Sequence, residues 1–122
     1  MENVISWFEI PASDFGRAVK FYGALLDADI QELDMDGIKM GMLPSDGSNV
    51  SGAIVQGEDA VPSTTGILVY LNGGDDLQAV LDRVEPNGGK VALPKTLISA
   101  EFGFFALFTD TEGNKLGLHS MQ

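Results

Sequence analysis

The chain contains no cysteine. That excludes disulfides, thiolate metal sites and cysteine nucleophiles, and it fits a cytoplasmic compartment. Cations are also scarce: seven lysines and arginines against 18 aspartates and glutamates leave a net charge of −11. A surface of that sign repels phosphate backbones and anionic membranes. The few basic residues form no run, so neither nucleic acid nor membrane is expected as a partner, and the acidity serves solubility. No apolar stretch approaches the roughly 18 residues of a spanning helix. The segment Met1 to Ser6 lacks the basic start and apolar stretch of an export signal, so the expected location is the cytoplasm. No Gly-x-Gly-x-x-Gly or Walker-type spacing is present, and the paired glycines read as loops and helix ends rather than a phosphate cradle. Histidine and tryptophan occur once each, as His119 and Trp7.

What the chain does have is a repeated layout. Ser6-Trp7-Phe8-Glu9-Ile10-Pro11 is followed by Asp14-Phe15 and an apolar stripe at helical spacing; Ile67-Leu68-Val69-Tyr70-Leu71-Asn72 is followed by Asp76-Leu77 and a second stripe. The strands align at a shift of about 61 residues (Trp7 with Leu68, Ile10 with Leu71). The helices align at about 62 (Asp14 with Asp76, Val19 with Leu81). Repetition of one supersecondary unit predicts two similar modules that share a core.

Each module reads β-α-β-β-β. In the first, Val4 to Ile10 is β-prone, and Ser13 or Asp14 caps a helix whose stripe is Phe15, Ala18, Val19, Tyr22, Leu25 and Leu26. Ile30 to Met35 and Ile38 to Leu43 pair across Asp36-Gly37, a tight-hairpin dipeptide, and Gly52 to Gln56 is the fourth strand. In the second, Gly66 to Leu71 leads to a cap at Asp75 or Asp76 and a stripe of Leu77, Val80, Leu81 and Val84. Val91 to Leu93, Phe104 to Phe108 and Leu116 to His119 complete the strands. The expectation is an α+β single domain of 122 residues, module 1–57 and module 64–122, with linker 58–63.

The stretches Trp7-Phe8-Glu9-Ile10-Pro11 with Asp14 through Phe21-Tyr22, and Asp110-Thr111-Glu112-Gly113-Asn114 before the last strand, resemble those of the vicinal oxygen chelate superfamily, also called the glyoxalase/bleomycin resistance/dioxygenase family. The resemblance covers nearly the whole chain. It implies that the two modules form a cup-like half-barrel, that homodimers form with modules of two chains facing each other, and that the cup holds a divalent metal ligated by His and Glu on inner strands. In this sequence the first-strand ligand positions fall on Trp7 and Leu68, the final-strand position on Gly117, and its first-module counterpart on or beside Gly41. None of these side chains can bind a metal, so no metal ligand and no cofactor is expected; a divalent ion is disfavoured.

Alternation along strands groups Glu9 with Trp7, Tyr70 and Asn72 with Leu68, Lys115 and His119 with Gly117, and Lys39 and Leu43 with Gly41. The candidate ligand-binding residues are thus Trp7, Glu9, Leu68, Tyr70, Gly117 and His119. Phe102, with Lys95 and Glu101, joins them from a long segment 94–103 read as a flap. Glu9 and His119 are the candidate acid–base residues, since imidazole titrates near neutrality. Plain structural roles stand beside each of these: Trp7 and Tyr70 as core, Glu9 at an edge or interface, His119 as a hydrogen-bonded residue near the C-terminus. The reading that follows is a metal-independent protein holding a small organic ligand. Its alternatives are a lyase, isomerase or dioxygenase-type enzyme with a non-standard site, and a protein-interaction module that docks a basic partner.

Overall fold

The computed structural model describes residues 3–122. Its elements are β1 (Trp7–Pro11), α1 (Phe15–Leu26), β2 (Gln31–Met35), β3 (Ile38–Met42), β4 (Ser51–Gln56), β5 (Tyr70–Asn72), α2 (Leu77–Leu81), a 3-10 turn (Glu85–Asn87), β6 (Lys90–Ser99), β7 (Gly103–Thr109) and β8 (Lys115–Ser120). They build two open four-stranded sheets, β1-β4-β3-β2 and β5-β8-β7-β6. In each, the first strand runs parallel to the fourth and the remaining pairs are antiparallel.

Local chemistry accounts for the element starts and turns. Asp14 accepts from the amide of Arg17 at 3.1 Å and Asp76 from that of Gln78 at 2.9 Å, so an aspartate caps each helix. Asp36 and Gly37 both take positive φ, 51° and 85°, as the β2–β3 hairpin turn requires. One face of each sheet meets the helices. Ile10, Ile54, Leu71, Leu118, Ala106 and Phe108 lie there, in a single core with Phe15, Ala18, Tyr22, Leu25, Leu77 and Leu81. The opposite, open face carries the alternate residues.

The long-range packing departs from the sequence reading in several places. Phe21 was outside the expected stripe of α1 yet is 1% exposed. It stands edge-on to Tyr22 at 5.0 Å and packs on Phe108 of the other module, because α1 faces two sheets rather than one. Strand β5 is shorter than Gly66 to Leu71. It lies at a sheet edge with one neighbour, and Gly66 sits at φ 96°. Strand β6 is far longer than Val91 to Leu93 and absorbs most of the segment read as a flap. Pro94 does not break it, because an edge strand tolerates a missing N–H and register shifts between Val91 and Ser99 accommodate it. Among the described residues, no helix is long and apolar enough to cross a membrane.

The modules are clasped by the β7–β8 turn. Tyr22 donates to Asp110 Oδ2 at 2.6 Å, and Asn114 Nδ2 donates to the Pro11 carbonyl at 2.7 Å. Glu112 Oε1 accepts from the amides of Ser13 and Asp14 at the start of α1.

Candidate functional site

The open faces of the two sheets carry most of the candidate residues. On β1, Trp7 is 42% exposed and Glu9 is exposed beside it. Glu9 pairs with Ala53 of β4, and Ala53 with Met42 of β3. The matching position in the second module is Tyr70, paired with Gly117 of β8. Gly117 in turn faces Leu107 of β7. Leu68 precedes β5 rather than lying in it.

Gly117 has no room for a side chain. A Cβ built on it would clash with Cδ2 and Cε2 of the Tyr70 ring, whose Cγ would be 3.0 Å away. The phenol therefore lies flat on the glycine backbone. Phe105 stands beside it, ring centroids 6.4 Å apart. Phe105 is the residue the sequence reading missed: Ala106 and Phe108 belong to the core, so period-two alternation puts Phe105 on the open face.

His119 is held from the hairpin end, its Nε2 lying 2.7 Å from the Phe102 carbonyl oxygen. A carbonyl only accepts, so Nε2 carries a proton, and in the neutral ring Nδ1 keeps its lone pair. Phe102 contributes this backbone oxygen while its own side chain is exposed. Lys95 turns away from the open face. Its Nζ meets Asp76 Oδ1 at 2.8 Å and lies 4.5 Å from the Phe104 ring centroid, which holds Asp76 below the usual carboxylate range through the Lys95 and Gln78 bonds.

The structure does not bring these residues into one cavity. Leu68 and Tyr70 line a groove of about 680 Å³ between the start of β1 and β5, with Ile5, Phe8, Leu43 and Val50. Tyr70 and His119 line a second, of about 640 Å³, with Asn72, Gly74 and Met121. Glu9 borders a third, of about 520 Å³, with Asp36, Glu58 and Asp59. Within one chain Glu9 and His119 stand on different sheets and share no groove, so they form no acid–base pair there.

The residues at the expected metal positions do not fit a metal. Gly41 is not the counterpart of Gly117. A Cβ there would meet Ile30, Val19 and Phe15, which places it on the helix side of β3, and Lys39 and Leu43 with it. Strand order and register assign that role to Ala53 on β4. Trp7, Leu68, Ala53 and Gly117 offer no donor atom, and Tyr70 covers the last of them. Among the described residues, no group of three His, Cys, Asp or Glu side chains could hold an ion.

Comparison with known proteins gives a consistent picture. The model of the Glyoxalase/Bleomycin resistance protein/Dioxygenase superfamily matches residues 4–118. A glyoxylase-like domain-containing protein of Didymella fabae is 32% identical over 119 residues, covering 93% of this chain and 91% of the relative. A glyoxalase/bleomycin resistance protein from Streptomyces sp. CB03234 has a solved structure that superposes with a TM-score of 0.67 at 26% identity, covering 93% of this chain and 97% of that one. TnmS3, an antibiotic binding protein from the same organism, shares the fold with a TM-score of 0.60 at 24% identity over 97% and 95% of the two chains.

Proposed function

This chain belongs to the Glyoxalase/Bleomycin resistance protein/Dioxygenase superfamily, and from that premise we propose that it binds a small organic molecule on the open faces of its sheets without a metal. The observation that carries this reading is the Tyr70 ring lying on Gly117. The position where a final-strand carboxylate would complete a metal site holds instead an aromatic surface suited to an organic ligand. The grooves beside it are of the size small ligands occupy. TnmS3, which shares the fold, is an antibiotic binding protein; a comparable binding role is the natural extension to this chain.

In the same reading the protein is a cytoplasmic homodimer. Leu33, Met35 and Ile38 are exposed together with Trp7 on the open face of the first sheet. A second chain would remove that apolar surface from water.

The test is a thermal-shift screen of small organic compounds on protein treated with a chelator, alongside elemental analysis of untreated protein. A ligand that binds the native state raises Tm by mass action. Chelator-insensitive stabilisation and the absence of stoichiometric metal are expected. Zinc, nickel or manganese co-purifying one to one, with loss of the ligand shifts on its removal, would overturn the proposal.

A further inference from the structure

Tyr70 is seated on one side only. Its ring rests on the backbone of Gly117 while the residue remains 46% exposed, so one face is fixed and the other is open. The fold does not require this arrangement. The equivalent pair in the first module is Glu9 with Ala53, which has neither the aromatic nor the glycine. Phe105 stands beside the ring at an interplanar angle of 60° and is the cross-strand partner of His119.

The imidazole of His119 is oriented by its Nε2 contact with the Phe102 carbonyl. In the neutral ring that contact leaves Nδ1 as an acceptor, and no bond to Nδ1 is made among the described residues. Tyr70, His119, Asn72, Gly74 and Met121 border the same groove, which therefore combines an aromatic surface seated on backbone with an imidazole whose Nε2 is already engaged.

We propose that this groove binds a planar aromatic molecule bearing a hydroxyl or N–H donor. The aromatic ring stacks on the open face of Tyr70, and the donor bonds to Nδ1 of His119. This assignment rests on the small-molecule reading above and adds to it the chemical class of the ligand. Gly117 is a positioning residue in it, because any side chain there displaces the Tyr70 ring.

The probes are 2-naphthol and 2-methoxynaphthalene, which share a ring system and differ in the donor. Binding to the full chain is measured by calorimetry, and circular dichroism checks the fold of each variant. The native protein is expected to bind 2-naphthol saturably and the methyl ether about tenfold more weakly, the ratio for one hydrogen bond to an otherwise unpaired acceptor. His119→Phe keeps a ring in place and is expected to bring 2-naphthol down to the level of the ether without changing the ether. Tyr70→Leu, which keeps an apolar side chain on the strand, weakens both probes several-fold, the scale of one aromatic stack. Gly117→Ala does the same.

Equal affinity of the two probes for the native protein would overturn the proposal, as would unchanged 2-naphthol binding in Tyr70→Leu or His119→Phe. A change of oligomeric state in Tyr70→Leu with probe binding intact would also overturn it, assigning the face to a second chain. Saturable binding of neither probe overturns the aromatic assignment. In that case stabilisation by other compounds in the thermal-shift screen would leave the broader small-molecule reading standing.

Discussion

The hydroxyl of Tyr22 on α1 donates to Asp110 Oδ2 at 2.6 Å across 88 residues of chain. Both residues are buried. The same carboxylate accepts from the amides of Glu112 and Asn114 and from Asn114 Nδ2. The Asp-Thr-Glu-Gly-Asn turn is thus a clasp that ties the second module to the first helix and, through Asn114 and Pro11, to the end of β1.

Tyr22→Phe removes one donor from a buried carboxylate while preserving the ring. The expected cost is about 1–3 kcal/mol, seen as a Tm lower by about 4–12 °C. Burial, followed by the charge and hydrogen bond of Asp110, raises the Tyr22 phenol well above its ordinary value of 10.0. Above that pH the unfolded chain has lost a proton that the folded chain keeps, so stability falls as pH rises further. Urea titrations above pH 10 are expected to show this alkaline loss in the native protein and a smaller one in Tyr22→Phe.

Glu112 gives the opposite pH limb. Burial alone would raise its carboxyl. The bonds from Arg17, the Asp14 amide and Thr111, with the charge of Arg17, outweigh burial and hold it below 4.5. Its contribution is complete above the unfolded value and is lost as pH falls through the folded one. Glu112→Gln is expected to lower Tm at neutral pH by several degrees and to flatten the stability loss below pH 4.5. An acid limb as steep as that of the native protein would refute this.

Gly41 tests the assignment of faces. A methyl group there would lie 2.9 Å from Ile30 Cγ2 and 3.2 Å from Val19 Cγ2. Gly41→Ala is expected to cost about 1–3 kcal/mol by overpacking and to leave ligand-induced Tm shifts unchanged, because the residue faces the helix. Unchanged stability with altered ligand shifts would place it on the open face instead.

Trp7, as the sole tryptophan, reports on the proposed dimer. It is 42% exposed in one chain, so acrylamide should quench its fluorescence efficiently at submicromolar protein. Quenching is expected to weaken at tens of micromolar as a second chain covers the face, in step with a doubled mass by sedimentation. A constant quenching slope and a monomeric mass would refute the dimer.

How far the sequence reached depended on the range of the forces involved. Asp14 and Asp76 as caps, the Asp36-Gly37 turn and the stripe from Phe15 to Leu25 follow from contacts within a few residues. Their chemistry is written in adjacent letters. The extent of β6 past Pro94 was not legible, because a proline's effect depends on whether its strand lies at an edge. Nor was the burial of Phe21, which answers to a sheet from the other half of the chain.

By itself, the sequence determined the two related α+β modules, since residue type and period are local properties; the expected metal positions came from the family resemblance, which placed one of them on Gly41 rather than Ala53. Tertiary structure decided which residues meet. Strand register laid Tyr70 on Gly117 and put Gly41 behind the sheet. Packing set Glu9 and His119 on separate sheets and joined His119 to the Phe102 carbonyl. Those placements depend on pairings between distant segments, whose geometry is fixed only when the shared core closes.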